Sequence, residues 1–322
     1  MTEKRIKPIV VLSNCLEFMA CRYNGELIPN SFVKKLQPFV IYKPVCPEVE
    51  IGMGIPRDPI KIVSENGTEK LLQPSTGNDY SNSMTDFAVK FNSTLVDVDG
   101  FILKSRSPSC GIKDVKLSDS IEKGPKIGNT TGFFAREVLL KHEGLAIEDE
   151  GRLTNYKIRE HFLTKLFLLA HFRHLKKEKT IQKLIQFHTV NKYILMSYNQ
   201  TRMRELGKII GSYDKTNLEN TYIEYERVLK TALKNIARKS SNINMFTHVF
   251  GYFSDYLTSK EKAFFLDNLK RYRNDKLPVS SIITLLKSWV IKYDQEYLMQ
   301  QTFFYPYPEE LMTVSDSGKG RD

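Results

Sequence analysis

The 322-residue sequence contains no uninterrupted apolar run of about 18 residues, which excludes an ordinary transmembrane helix. Its N-terminus, Met1 to Lys7, is charged and lacks the apolar block and small-residue cleavage site of a signal peptide. We therefore expect a cytoplasmic protein that does not contact a membrane. The composition, 41% hydrophobic and 26% charged, is typical of a folded globular chain, and the length suits two domains.

Cysteine is scarce, and its distribution is uneven. The four cysteines, Cys15, Cys21, Cys46 and Cys110, all precede residue 111, and no CxxC pair is present. That absence argues against a thioredoxin-like motif and against a zinc ribbon. Because disulfides are rare in the cytoplasm, the remaining roles are metal binding, redox chemistry or simple burial.

The net charge of +11 is confined to the second half of the sequence. Residues 1–150 carry 19 basic and 20 acidic side chains, whereas residues 151–322 carry 29 basic and 17 acidic ones. A balance of +12 in one half indicates a surface for a polyanion such as nucleic acid. A solvated lysine-rich surface explains the same numbers equally well, so charge alone leaves the choice open.

The hydrophobic pattern changes near residue 154. Before it, short β-branched runs around residues 9–14, 39–45, 100–104 and 145–147 alternate with polar or helical stretches, as in βαβ units. After it, apolar residues recur at helical spacing. We therefore predict a Rossmann-like α/β domain with a parallel sheet over residues 1–153 and an all-α domain over residues 154–322. The helices are expected at residues 157–175, 179–196, 201–211, 218–239, 259–273 and 279–300.

Three cysteines, Cys15, Cys46 and Cys110, follow predicted strands directly or in the next loop. Sites in open parallel sheets form beyond the carboxyl ends of strands, so these thiols are expected to converge. Three converging thiolates are suitable ligands for an iron–sulfur cluster or for zinc. The alternative to metal binding is that the cysteines are buried and act as small apolar residues. Glu48 follows Cys46, and Ser107 and Ser109 precede Cys110, which favours proton-handling chemistry.

The motifs of the first half resemble those of the thiouracil desulfidase family over about residues 7–150, and they occur in the same order. They are Cys15-Leu16 with Cys21-Arg22-Tyr23-Asn24-Gly25, Val45-Cys46-Pro47-Glu48, Gly54-Ile55-Pro56-Arg57, Gly77-Asn78-Asp79, and Leu103 to Gly111 with the Gly128 to Gly132 turn that we expect to open a helix.

The second half resembles the YbgA-type domain that often follows such a domain. The matching pieces are Leu169-Ala170-His171, Leu206-Gly207, His248 to Phe253, Glu261-Lys262, Tyr272-Arg273 and Pro306-Tyr307-Pro308. In this fused form the sequence is similar to bacterial desulfidases that remove sulfur from 4-thiouridine in tRNA.

The resemblance implies a [4Fe–4S] cluster held by three cysteines, whose open iron takes the thiocarbonyl sulfur of the base. Carried over to this sequence, the ligands are Cys15, Cys46 and Cys110, with Cys21 in reserve. Glu48 is the expected proton shuttle. Ser107 and Ser109 either position water or the base, or cap their loop. The implied reaction is hydrolytic, releasing sulfide without a reductant.

The expected partner is tRNA that contains 4-thiouridine, and no protein partner is inferred. Two basic stripes in the second half, one with Tyr272 beside it, suit RNA phosphates and base stacking: Arg202, Arg204 and Lys208, then Lys270, Arg271 and Arg273. Two alternatives stay open. The first is a desulfidase of free thiouracil or thiolated nucleotides, and the second is a non-enzymatic, metal-stabilised RNA-binding protein.

Overall fold

A computed structural model describes residues 6–121 and 125–312 of the chain. These residues form two compact units, one comprising residues 6–173 and 310–312 and the other His174–Glu309. In the described ranges, none of the helices combines the length and the apolar character that crossing a bilayer requires.

The first unit is built on a parallel sheet. Its strands are β1 (Ile9–Ser13), β2 (Ile41–Val45), β5 (Gly100–Leu103) and β8 (Ala146–Asp149), arranged in the order β2-β1-β5-β8 with every neighbouring pair parallel. Buried apolar side chains fill the two central strands, β1 and β5, since the middle of a parallel sheet is covered on both faces. The edge strands β2 and β8 are buried only in part. The predicted α/β domain is confirmed.

A second sheet in this unit was not expected from the sequence. It consists of β3 (Lys61–Glu65), β4 (Thr68–Leu72), β6 (Val115–Ser118) and β7 (Lys126–Thr130), in the order β4-β3-β6-β7. Its strands are short and carry charged side chains, which hides their alternation in the sequence. Gly128, expected in a turn before a helix, lies inside β7 instead.

The strands of the first unit are connected by segments that contain helices. These helices are α1 (Ser31–Leu36), α2 (Pro47–Glu50), α3 (Ser81–Thr94) and α4 (Phe133–Lys141). Met84 and Ala88 on α3 and Phe134 and Val138 on α4 pack into one core with Phe101 of β5. This packing fixes α4 directly behind the loop that contains Cys110.

The change to helical structure occurs where it was predicted, but the first compact unit extends further along the chain. Helix α5 (Tyr156–Glu178) starts within the first unit. Its Arg173 forms a bidentate ion pair with the buried Asp99, which also accepts a hydrogen bond from the amide of Ile9 at 2.8 Å. Residues 154–173 therefore pack with the α/β unit.

The second unit is all helical, as predicted. Two helices were expected between residues 179 and 211, and the structure joins them as the two segments of α6 (Ile181–Gly211). Asn199 forms the kink between the segments, with a non-helical φ of −159°. The Asn199 side chain accepts a hydrogen bond from the backbone amide of Arg202. The helix expected over residues 218–239 ends at Ala232, and a separate helix follows. The elements are α6 (Ile181–Gly211), α7 (Leu218–Ala232), α8 (Lys239–Gly251), α9 (Ser259–Arg273), α10 (Val279–Lys292) and α11 (Glu296–Met299).

Gly132, the residue before α4, packs against the backbone of the cysteine loop. A Cβ atom on Gly132 would lie 2.4 Å from the Ser109 carbonyl oxygen, whereas one on Gly128 would meet nothing within 4 Å. We expect Gly132→Ala to destabilise the protein by about 1–3 kcal/mol, because backbone must move to admit the methyl group. Gly128→Ala should leave the urea midpoint unchanged, and equal midpoints for the two variants would contradict this packing.

Candidate active site

A cavity of about 390 Å³ lies beyond the carboxyl ends of β1, β2 and β5. The segment after β1, the start of α2 and the loop after β5 supply its walls, as expected for an open parallel sheet. All four cysteines line this cavity, and all four are free thiols. The structure therefore brings together the three cysteines that the strand pattern singled out, and adds Cys21.

The thiol of Cys21 interacts with those of both Cys15 and Cys46. The Cys46 thiol donates to the carbonyl oxygen of Cys21, 3.8 Å away. The interaction with Cys15, with burial, raises the pKa of Cys21 to about 11. The interaction with Cys21, with burial and the charge of Glu48, raises the pKa of Cys46. Both thiols are consequently protonated at neutral pH in the metal-free protein.

Cys110 is buried as well. Burial raises its pKa, and the nearby charge of Glu48 acts in the same direction, while interactions with the hydroxyls of Ser13 and Ser107 oppose them. Cys15 is the most exposed of the four cysteines. The cavity thus has one partly exposed thiol, that of Cys15, and three buried ones.

The donor set fits a thiophilic metal centre. Soft sulfur ligands favour iron–sulfur clusters and zinc, and four thiols in one cavity exceed the three that a cluster with an open iron needs. In residues 6–121 and 125–312, no three His, Cys, Asp or Glu side chains are already spaced as metal ligands. Metal binding would exchange the protons of these thiols for metal–sulfur bonds.

Glu48 is buried in the wall of the cavity, on the short helix that begins after Cys46. The Cys46 Sγ lies 3.4 Å from its Oε2, and the Ser107 Oγ lies 3.5 Å from its Oε1. Its carboxylate therefore faces a thiol on one side and a hydroxyl on the other. This is a position that suits proton transfer, since the carboxylate reaches both a thiol and the cavity.

The two candidate serines have different surroundings. Ser107 Oγ accepts hydrogen bonds from the amides of Ser109 and Cys110, so it caps its own loop and also faces Glu48. Ser109 does not line the cavity, and its buried hydroxyl finds no hydrogen-bond partner among the described residues. The geometry favours Ser107 as the serine that contacts a ligand.

Arg57 is a site residue that the sequence reasoning did not single out. Its guanidinium lies 3.9 Å from Glu48 and donates hydrogen bonds to the carbonyl oxygens of Cys21 and Gly54. The Arg57 side chain thus links the backbone at Cys21 to the Glu48 carboxylate. The signal was present, because Arg57 ends the Gly54-Ile55-Pro56-Arg57 motif, but nothing in its spacing showed its contacts.

The basic stripes of the second half lie on two helices of the second unit. Arg204 and Lys208 on α6 are exposed, whereas Arg202 forms an ion pair with Glu205. Lys270, Arg271 and Arg273 are exposed in the last turn of α9. The expected stacking by Tyr272 is wrong, because its ring is buried against Phe246 and its hydroxyl accepts from Asn242.

Comparison with known proteins decides the family. Residues 10–150 match the model of the 2-thiouracil desulfurase family. The uncharacterized protein YbbK of Bacillus subtilis (strain 168) is 30% identical over 155 residues, which cover 46% of this chain and 99% of YbbK. The chain belongs to the 2-thiouracil desulfurase family. Its matched part contains all four thiols, Glu48 and Ser107.

The second half also matches a family, and the chain also resembles a solved structure. Residues 192–308 match a family described as a protein of unknown function (DUF1722). A solved structure of the [4Fe-4S]-dependent thiouracil desulfidase TudS is 23% identical, covers 46% of this chain and 93% of its own, and aligns with a TM-score of 0.36. The family matches confirm the resemblances of both halves, and membership in the 2-thiouracil desulfurase family makes the chain a carbon–sulfur desulfidase.

Proposed function

We propose that this protein is a [4Fe–4S]-dependent desulfidase that converts 4-thiouridine in tRNA to uridine and releases sulfide. The observation that carries the proposal is the single cavity in which four free thiols meet a buried carboxylate, Glu48. Thiols supply the ligands, and the carboxylate supplies proton transfer. A cavity that only packed cysteines against each other would not need a buried glutamate.

The proposed cluster ligands are Cys15, Cys46 and Cys110, which come from three separate loops around the cavity. Cys21 is the alternative, because it lines the same cavity and its thiol interacts with those of Cys15 and Cys46. When bound, the cluster would supply a thiophilic Lewis acid that polarises the carbon–sulfur bond and accepts the sulfur. Raised thiol pKa values make uptake release protons, so it becomes more favourable as pH rises.

The reaction balances without electrons. Water adds its oxygen to the base carbon as the carbon–sulfur double bond becomes a carbon–oxygen double bond, and the two water protons leave with the sulfur as hydrogen sulfide. Glu48 is placed to accept a proton from the water and to return one to the departing sulfur, because its two oxygens face Ser107 and Cys46. No reductant is required.

Two neighbours position Glu48 for this role. Ser107 is held by the amides of Ser109 and Cys110 and presents its hydroxyl towards the carboxylate, so it orients the carboxylate or a ligand beside it. Arg57, which is nearly buried, lies 3.9 Å from the other carboxylate oxygen. Ser109, buried outside the cavity, then acts only through the loop that it belongs to.

The tRNA part of the proposal rests on charge. The second half carries a balance of +12, and five side chains of the two stripes are exposed: Arg204, Lys208, Lys270, Arg271 and Arg273. A free base needs no such surface, whereas RNA phosphates bind to exposed cations in a salt-dependent way.

The Glu48→Gln variant tests the chemistry. In the anaerobically reconstituted protein, we expect it to lower kcat for conversion of 4-thiouridine in tRNA by about 100-fold or more, because an amide cannot exchange the proton. Glu50→Gln is the matched control, since Glu50 is an exposed carboxylate two residues along the same helix. Nucleoside analysis of digested tRNA measures both. Near-normal kcat in Glu48→Gln with a full cluster would contradict the assignment.

The stripes are tested by neutralising them. Arg204→Gln/Lys208→Gln and Lys270→Gln/Arg273→Gln should raise KM for tRNA several-fold and leave conversion of the free nucleoside unchanged. The dependence of tRNA affinity on salt should weaken by about 0.7 in log–log slope for each lost phosphate contact. Lys215→Gln/Lys260→Gln removes two exposed charges elsewhere on the second unit as a control. Equal effects of all three double variants would count against RNA binding by the stripes.

A further inference from the structure

The second unit contains a histidine with one open ring nitrogen. His188 lies on α6, and its Nδ1 is 3.1 Å from the hydroxyl of Tyr225 on α7. Tyr225 is fully buried and its ring meets the imidazole edge-on, so α7 holds the imidazole in place. Nε2 of His188 has no hydrogen-bond partner among residues 6–121 and 125–312. It is nevertheless not enclosed, because Ser109 Oγ is the one buried side-chain N or O atom without a partner in these ranges. The Nε2 atom therefore reaches solvent.

Gly207 is the residue that leaves Nε2 open. A Cβ atom on Gly207 would lie 3.5 Å from Nε2 and 3.9 Å from Cε1 of His188, and outside its own helix it would meet no other described atom within 4 Å. Because 3.5 Å is an ordinary contact distance, a methyl group would fit there without displacing a neighbour and would cover the nitrogen. The space between His188 and Gly207, which we call the His188 notch, thus depends on the glycine of the Leu206-Gly207 motif.

The His188 notch exists because α6 folds back on itself at the Asn199 kink. In a straight helix His188 and Gly207 would lie about 28 Å apart along the axis, since they are 19 residues apart and each residue rises about 1.5 Å. The close approach of Gly207 to the imidazole therefore requires the segments before and after Asn199 to lie side by side. Side chains of both segments consequently contribute to one surface.

Three cations of α6 flank the His188 notch. Lys192 lies one turn after His188, and its charge acts on the imidazole. On the other segment, Arg204 lies one turn before Gly207, and Lys208 directly follows it. Arg204 and Lys208 are exposed, and none of the three cations forms an ion pair within the part of the chain that the structure describes. An RNA backbone bound to these cations would pass over the notch.

His188 itself is neutral. Burial and the charge of Lys192 lower its pKa to about 4, so the ring carries no charge at neutral pH. Burial raises the pKa of Tyr225, whose hydroxyl stays protonated and can donate to Nδ1. Nε2 then carries the ring proton and is a hydrogen-bond donor. The notch therefore presents one uncharged donor between cations on both sides.

We propose that the His188 notch binds a ribose 2′-hydroxyl of RNA, so that the second unit distinguishes RNA from DNA. This inference deepens the tRNA part of the proposed function and rests on it. Phosphates bind to the flanking cations, and the group between two consecutive phosphates of a strand is the sugar, which then faces Nε2. Gly207 gives the edge of the sugar room to approach. The 2′-hydroxyl is the group by which a protein tells RNA from DNA at one position.

A binding experiment without turnover tests the His188 notch in the full-length protein. The probes are a tRNA transcript free of 4-thiouridine and a DNA strand of the same sequence, and fluorescence anisotropy gives Kd for both at one salt concentration. We expect the wild-type protein to bind the RNA about three- to tenfold more tightly than the DNA, the effect of one hydrogen bond. Gly207→Ala should remove this preference by weakening RNA binding alone, because its methyl group covers Nε2.

Gly211→Ala is the matched control. Gly211 is four residues further along the same helix, and a Cβ atom there would meet nothing within 4 Å. Both substitutions replace glycine by a better helix former, so neither should lower the urea midpoint. His188→Phe keeps an aromatic ring but removes both nitrogens, and it should lose the preference as Gly207→Ala does. A preference for RNA that survives in Gly207→Ala, or an equal loss in Gly211→Ala, would overturn the inference.

The remaining outcomes separate this inference from the proposed reaction. Equal losses of RNA and DNA affinity in Gly207→Ala would mean that the notch takes a phosphate, which contradicts the hydroxyl assignment. If the preference for RNA is present and is lost in Gly207→Ala while no thiolated substrate is converted, the notch stands and the desulfidase reaction fails. Conversion of 4-thiouridine in tRNA by a protein that binds RNA and DNA equally well would uphold the reaction and contradict the notch.

Discussion

The hydroxyl of Ser13 joins the two strands on which the site depends. Ser13 ends β1, is almost fully buried, and its Oγ accepts the amide of Lys104, the residue after β5, at 2.9 Å. It also lies close enough to Cys110 to lower the pKa of that thiol, against the larger effect of burial. Because β1 and β5 are parallel and end together, the segment after β1 and the loop after β5 leave the sheet at the same edge. The cavity, the thiols and the Glu48–Ser107 contact all follow from that pairing.

The buried carboxylate and the thiols constrain each other. Glu48 raises the pKa values of Cys21, Cys46 and Cys110 through its charge, so the metal-free site favours neutral thiols. Arg57 offsets part of this charge, since its guanidinium lies 3.9 Å from the carboxylate. A thiol that coordinates a metal loses its proton. In the proposed function, positive charge from the metal would balance the carboxylate and the thiolates.

The sequence predicts the parts of this protein that obey simple periodicity. The strands β1 and β5 are short apolar runs, and β2 and β8 each contain a shorter apolar stretch. The rule that sites form at strand ends led from the strands to Cys15, Cys46 and Cys110. The helices of the second half follow from apolar spacing, including the break that the structure shows as a kink at Asn199. Convergence of distant residues was thus inferred without knowing any distance.

What the sequence does not reveal depends on tertiary contacts. The second sheet consists of short strands in which charged side chains hide the alternation, although Asn66-Gly67 was a visible hairpin signal. The left-handed backbone conformation of Arg106 and the contacts of Arg57 cannot be predicted from the sequence around these residues. Tyr272 looked like a stacking residue beside three cations, and only its packing on Phe246 shows it to be core.

The central claim is that three of the four thiols hold an iron–sulfur cluster, and iron and acid-labile sulfide per chain test it most directly. Cys15→Ser, Cys46→Ser, Cys110→Ser and Cys21→Ser should be reconstituted anaerobically beside the wild-type protein. The account predicts that the first three lose the cluster while Cys21→Ser retains it. Loss in Cys21→Ser with retention in Cys15→Ser or Cys110→Ser would move the ligand to Cys21. A wild-type protein that takes up no iron would contradict the account itself.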